Sequence, residues 1–214
     1  MKKIISSAAL ALALFTSGAF AAGTSPAMEA SSIDKGLAAI TDEKYDVART
    51  EFMAAAGHGN PMGYYHLGAM YHRGLGGERS QVKALENYRK AADQGVPEAE
   101  FAMGLFYQHG KAFLQKNPDT AVDWYTKAAR QGSAAAMYNL GMMYATGEAV
   151  PITYGSNPDY IKARGWFLIT REAMASPGDE AKVDGILKEL ESHMTPRQMN
   201  KSKEFQDEWN KQNS

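Results

Sequence analysis

The chain has 214 residues, 23 lysines and arginines against 24 aspartates and glutamates, and no cysteine. Without thiols there can be no disulfide, thiolate nucleophile or cysteine-ligated zinc. The balanced charge provides no basic field for nucleic acid, so no nucleic-acid partner is expected.

The first 21 residues read as a secretory signal. Lys2 and Lys3 form a basic start, Ile4 to Phe15 is an apolar stretch too short to span a bilayer, and Ala19-Phe20-Ala21 supplies a small-x-small cleavage site. Cleavage after Ala21 is expected, with an uncleaved anchor as the alternative. The mature chain would carry a net charge of −3 instead of −1, because the two lysines are the only charges removed. With no cysteine to lipidate, the expected location is the bacterial periplasm or the medium, with no membrane insertion after cleavage. Residues 22–30 are expected to be a flexible N-terminus.

From there to about residue 176 the sequence repeats. NPMGYYHLGAMYHRG begins at Asn60, VPEAEFAMGLFYQHG at Val96 and SAAAMYNLGMMYATG at Ser133, spaced by 36 and 37 residues. Gly68, Gly104 and Gly141 align within them, as do Tyr71, Tyr107 and Tyr144, and then Gly74, Gly110 and Gly147. A second block follows each first one and also precedes the series: Ala48, Ala84 and Ala121 coincide, then Phe52, Tyr88 and Tyr125, then paired alanines at 55–56, 91–92 and 128–129. A period of this length marks an array of helical hairpins, each an A helix and a B helix that cannot bury their apolar faces alone. The expected units are about 31–59, 60–95, 96–132 and 133–176.

A glycine in the middle of a helix costs about 1 kcal/mol relative to alanine. Its recurrence at 68, 104 and 141 predicts that A and B helices approach closely there, with the aromatic residues filling the remaining space. Pro61 and Pro97 suit first helical positions and Ser133 can cap the third A helix. Gly74, Gly110 and Gly147 suit left-handed helix ends.

These residues resemble the Sel-one-like repeat, a branch of the tetratricopeptide superfamily, with the pattern A-x-x-x-LG-x-x-Y-x-x-G followed by A-x-x-W/Y-Y-x-x-AA-x-x-G. The likeness is strong over Asn60 to Gly132 and weakens after Gly147, where a longer loop precedes Ala163 and Trp166-Phe167, and Thr170-Arg171 replace the paired alanines. The resemblance implies an all-α superhelical solenoid whose A helices line a concave face. Val183, Ile186, Leu187 and Leu190 then fall at helical spacing, and Thr195-Pro196-Arg197-Gln198 has the makings of a capping box. Residues 177–214 are therefore expected to form C-terminal capping helices, with a loose end from Asn210.

Catalytic patterns are not found. GLFYQHGK, Gly104 to Lys111, departs from a phosphate-binding loop in glycine spacing and has no hydroxyl residue after the lysine. His72 and His109 fall near the ends of successive A helices, but no carboxylate joins them at ligand spacing, so neither a metal nor any other cofactor is expected. His58 occupies a turn position held elsewhere by Gln94 and Gln131.

Attention therefore falls on the A-helix face. Tyr65, Phe101 and Tyr138 recur once per repeat beside His72, Arg73, Gln108 and His109. Aromatics and arginine dominate protein-recognition hot spots, but the three rings could equally pack between neighbouring A helices. The leading reading is a non-enzymatic, monomeric adaptor that holds a protein or peptide of the bacterial envelope. The alternatives are a peptidoglycan-binding module, or a weak hydrolase of β-lactam or cell-wall substrates. The hydrolytic relatives carry paired cysteines that this chain lacks.

Overall fold

A computed structural model describes residues 26–149, 157–174 and 177–213. The signal segment and most of the loop after Gly147 lie outside the described residues. Among the described residues ten helices run in chain order: α1 (Pro26–Thr41), α2 (Tyr45–Gly57), α3 (Pro61–Arg73), α4 (Gln81–Ala92), α5 (Pro97–His109), α6 (Pro118–Arg130), α7 (Ala134–Ala145), α8 (Tyr160–Ala173), α9 (Pro177–Ser192) and α10 (Pro196–Asn213). No strand occurs among the described residues. Each odd helix from α1 to α7 pairs with the even helix after it, and each even helix meets the next odd one, which is the nearest-neighbour pattern of an α-solenoid.

The helix ends follow from local chemistry. Asn60 and Ser133 accept backbone N–H bonds from Met62 and Ala136, and Pro61 and Pro97 occupy the first turns of α3 and α5. Gly74 and Gly110 close those helices at φ 75° and 63°, and Gly147, just beyond α7, has φ 77°. Two ends differ from the sequence reading. α1 begins at Pro26, because Pro26 suits a first turn and Ala27 to Ala30 are good helix formers, so part of the expected loose N-terminus is helical. α10 continues to Asn213, whose side-chain amide donates to the Trp209 carbonyl and holds the final turn.

The mid-helix glycines are where the B-helix rings lie. A Cβ at Gly68 would meet the Tyr88 ring at 2.7 Å, one at Gly141 would meet Phe167 at 2.9 Å, and one at Gly104 would fall closer still to Tyr125. Gly36 stands in the same relation to Phe52 on the first hairpin, and Gly165 of α8 to Phe205 of α10. Tyr125 and Phe167 are fully buried. Close ring-on-backbone packing, repeated along the array, outweighs the entropy cost of each glycine.

Between hairpins the seam is apolar. Leu67, Met103 and Leu140, one residue before each glycine, and Met70, Phe106 and Met143, two after, are buried against the preceding repeat. On α1 the same positions hold Lys35 and Ala38, both exposed among the described residues.

At the other end, α9 places Val183, Leu187 and Leu190 on Phe167 and Leu168, as a following A helix would. α10 does not pair with α9. It folds back onto α8, where Phe205 and Trp209 sit edge-on to Trp166 at 5.6 and 4.6 Å. Arg164 ties the two together by donating to Glu191 of α9 and to Ser202 of α10. The anticipated capping box forms, with Thr195 N–H donating to Gln198 Oε1 at 2.9 Å.

Candidate functional site

Four of the seven residues singled out on the A-helix face come together. Tyr65, His72 and Arg73 of α3 face Phe101 of α5 across a groove of about 230 Å³, which Leu105, Phe106 and Glu98 also line. Its floor includes Tyr88 of α4, whose ring is reachable beside Gly68 because the glycine offers no side chain to cover it.

Each ring of the aromatic row meets the B-helix ring of its own hairpin: Tyr65 lies 5.9 Å from Tyr88, Phe101 5.6 Å from Tyr125 and Tyr138 5.6 Å from Phe167. Tyr65 and Tyr138 also pack against clusters that include residues of the next A-type helix, α5 and α9. All three remain half-exposed. These tilted and edge-on contacts seat each ring while leaving part of it in solvent. Tyr138 lies apart from the other two, over a second depression lined by Asn139, Met174, Lys182 and Val183.

His72 and His109, near in sequence position, are not equivalent. Counting from the mid-helix glycine, His72 matches Gln108 and His109 matches Arg73, one residue and about 100° around the helix away. His72 packs against Tyr88 and Phe106, with ring centroids at 6.3 and 6.0 Å, whereas His109 is exposed. Among the described residues no three histidines or carboxylates converge as metal ligands.

Gln108 is engaged within the protein. Tyr125 Oη donates to its Oε1 at 2.7 Å, and its Nε2 donates to Glu148 Oε2 at 2.9 Å; Lys116 pairs with the other Glu148 oxygen at 2.6 Å. Burial raises the pKa of Glu148, but the hydrogen bonds from Lys116 and Gln108 outweigh it, with the charges of Lys116 and His109 adding, so its carboxyl lies below the ordinary value. Burial pushes the Tyr125 hydroxyl up to about 12. The network pins the ring that fills Gly104 and links the loops after α5 and α7.

The groove lining carries charge of both signs, Arg73 and Glu98. Burial lowers the pKa of His72 first, and the charges of Lys111, Arg79 and Arg73 lower it further. Burial raises Tyr65, and Glu98 adds to that effect while Arg73 opposes it, which places one acid and one cation near the same hydroxyl. Tyr88, Phe106, Glu98 and Lys111 were not singled out from the sequence. Tyr88 read as a repeat-signature aromatic, and the charges gain meaning only when α3 and α5 are set side by side.

His66, also on α3, stacks on Phe52 of the preceding hairpin at 4.7 Å, and burial lowers its pKa. His66 Nε2 and His72 Nδ1 are buried without a hydrogen-bond partner. Well above pH 6.5 both imidazoles are neutral in folded and unfolded chains. Below it the unfolded chain takes up protons that the folded one resists, so stability falls until the pH reaches the depressed folded values. The thermal midpoint should drop between pH 7.5 and 5.5. The drop should be smaller in His66→Asn/His72→Gln, which borrows the residues that α7 and α5 carry at these repeat positions, Asn139 and Gln108. An identical pH dependence would contradict the assignment.

Comparison with known proteins found solved structures and one repeat family. A crystal structure of a Sel1 repeat protein from Oxalobacter formigenes is 33% identical, with a TM-score of 0.57 over 65% of this chain and 55% of its own. A protective antigen from uropathogenic Escherichia coli strains, described as displaying an SLR fold, is 22% identical, with a TM-score of 0.40 over 79% of this chain and 49% of its own. The chain thus spans about half the length of these solved structures. No curated protein matches. The Sel1 repeat matches residues 61–96, 97–133 and 134–170, just over half of the chain and in register with the glycine–ring pairs, and on that evidence the chain belongs to the Sel1 repeat family.

Proposed function

We propose that this protein is an exported, non-enzymatic adaptor that holds a protein partner of the bacterial envelope in the groove between α3 and α5. The observation that carries the reading is the groove itself: half-exposed rings seated on B-helix rings, with Arg73 and Glu98 beside them. Such preorganised aromatic and arginine surfaces lose little entropy on binding. The family supports it, since Sel1 repeat proteins generally mediate protein–protein interaction. A monomer suffices, because one chain carries the whole groove.

Export rests on the first 21 residues. The mature protein should appear in an osmotic-shock fraction with Ala22 at its N-terminus; a membrane-bound chain retaining Met1 would overturn this part. For the groove, p-benzoylphenylalanine at position 101 should crosslink in living cells to one envelope protein, whereas the same group at the exposed position 127 should not. Equal labelling from both positions counts against a groove-directed partner. Turnover of a chromogenic β-lactam or of purified peptidoglycan is expected to be absent, and measurable turnover would replace the adaptor with an enzyme.

A further inference from the structure

The groove between α3 and α5 has two electrically different ends. Glu98 stands in the first turn of α5 and Arg73 in the last turn of α3. Pro61 and Pro97 open these helices at the same repeat position, so Glu98 matches Met62, eleven residues before Arg73. At about 1.5 Å per helical residue, the two positions are offset along the groove by roughly 16 Å. Both side chains are exposed, and neither forms an ion pair or a side-chain hydrogen bond among the described residues. Burial is the largest influence on the titration of both His72 and Tyr65, but the charges acting on them differ. Lys111, Arg79 and Arg73 all act on His72, whereas Glu98 outweighs Arg73 at Tyr65. The end beside His72 is cationic, and the end beside Tyr65 holds the groove's acid.

Between these ends the α5 wall is apolar, formed by Phe101, Ala102, Leu105 and Phe106. The cavity of about 230 Å³ is smaller than the roughly 300–1,000 Å³ of small-molecule sites, so it suits one side chain of a longer segment. In an extended chain, residues two and four positions apart share one face. At about 3.3 Å per residue, the first and fifth of them stand roughly 13 Å apart. Long charged side chains at those two positions cover the remaining few ångströms to Glu98 and Arg73, and the third residue then lies over the apolar wall.

We infer that the groove reads an extended segment of its protein partner in which an apolar residue stands between a basic and an acidic residue, each two positions away. The inference rests on the adaptor reading and narrows it to one segment chemistry. Charge complementarity carries it: the basic residue meets Glu98 and the acidic one meets Arg73. Either order of the two charges along the segment is acceptable, because an extended chain can lie in the groove in both directions. Opposite sign and spacing are what the groove requires.

The test titrates three peptides with blocked termini into the purified protein and follows its amide chemical shifts. One peptide is Gly-Lys-Ser-Phe-Ser-Glu-Gly, and the others carry two lysines or two glutamates at the charged positions. Peptides this short form no stable helix in water, so binding reports the extended form. The Lys/Glu peptide should bind saturably and shift amides within residues 65–73 and 98–106. Each like-charged version should bind about fivefold more weakly, as loss of one exposed ion pair predicts. Glu98→Lys should then reverse the order and make the two-glutamate peptide the tightest. Glu98 and Arg73 also suit their helix ends. A role confined to the helices predicts a lower thermal midpoint for Glu98→Lys with the peptide order unchanged, and that result overturns the inference. Any other order of the three peptides on the wild type, equal binding included, overturns it too. If no peptide binds while position 101 still crosslinks to an envelope protein, the two-charge segment is overturned and the groove stands. Failure of both experiments overturns the groove as well.

Discussion

Replacing Gly104 with leucine should lower the thermal midpoint by roughly 6–12 °C. A Cβ at this position would clash with the edge of the Tyr125 ring, which is fully buried and pinned by its hydroxyl to Gln108. A terminal atom of a mobile side chain could yield, but this ring has no vacant space to enter. Overpacking of this kind costs about 1–3 kcal/mol, and the upper end applies where the obstacle cannot move. For a chain of this size each kcal/mol shifts the midpoint by about 2–4 °C. Gly185 provides the control, since it lies inside α9 with nothing within 4 Å of an added Cβ. Gly185→Leu should hold or slightly raise the midpoint, because leucine is the better helix former by somewhat under 1 kcal/mol. Two glycines inside helices should thus respond with opposite sign. Equal responses would show that ring-on-backbone packing is not why the repeat keeps its glycine.

The second large effect concerns binding. Arg73→Glu and Phe101→Ala together should weaken capture of the groove's partner by at least about 2 kcal/mol, roughly thirtyfold. Arg73 is exposed and its reversal leaves the packing untouched, so its share should be slower association that fades as salt is raised. Phe101 supplies contact area, so its share should be faster dissociation. Phe101 also rests on Tyr125, and its loss removes part of that contact. Circular dichroism and the thermal midpoint of each single variant separate lost recognition from lost structure. A folded double variant with full affinity would move recognition elsewhere, with the depression beneath Tyr138 the next surface to examine.

Much of the fold was legible because the repeat compresses it. Three aligned glycines, three aligned B-helix aromatics and the left-handed closing glycines each have one physical use, and the spacing names their partners. Gly104 with Tyr125 is such a case. The Gly165–Phe205 contact was not legible, since it joins α8 to a helix outside the repeat and neither residue belongs to the periodic pattern. The fold-back of α10 onto α8 escaped for the same reason.

The groove was half legible. Tyr65, His72, Arg73 and Phe101 lie on one helical face and could be listed from periodicity, but Tyr88 entered only because Gly68 leaves its ring uncovered. His72 and His109 looked paired because a one-residue offset is inconspicuous in sequence and large around a helix.

Amide hydrogen exchange, recorded with and without the partner trapped from position 101, tests the central claim most directly. The account predicts that binding slows exchange within residues 65–73 of α3 and 98–106 of α5, and leaves the outward faces of α2, α4 and α6 unchanged. Protection confined to those B helices, or to α9 and α10, would contradict recognition in the groove.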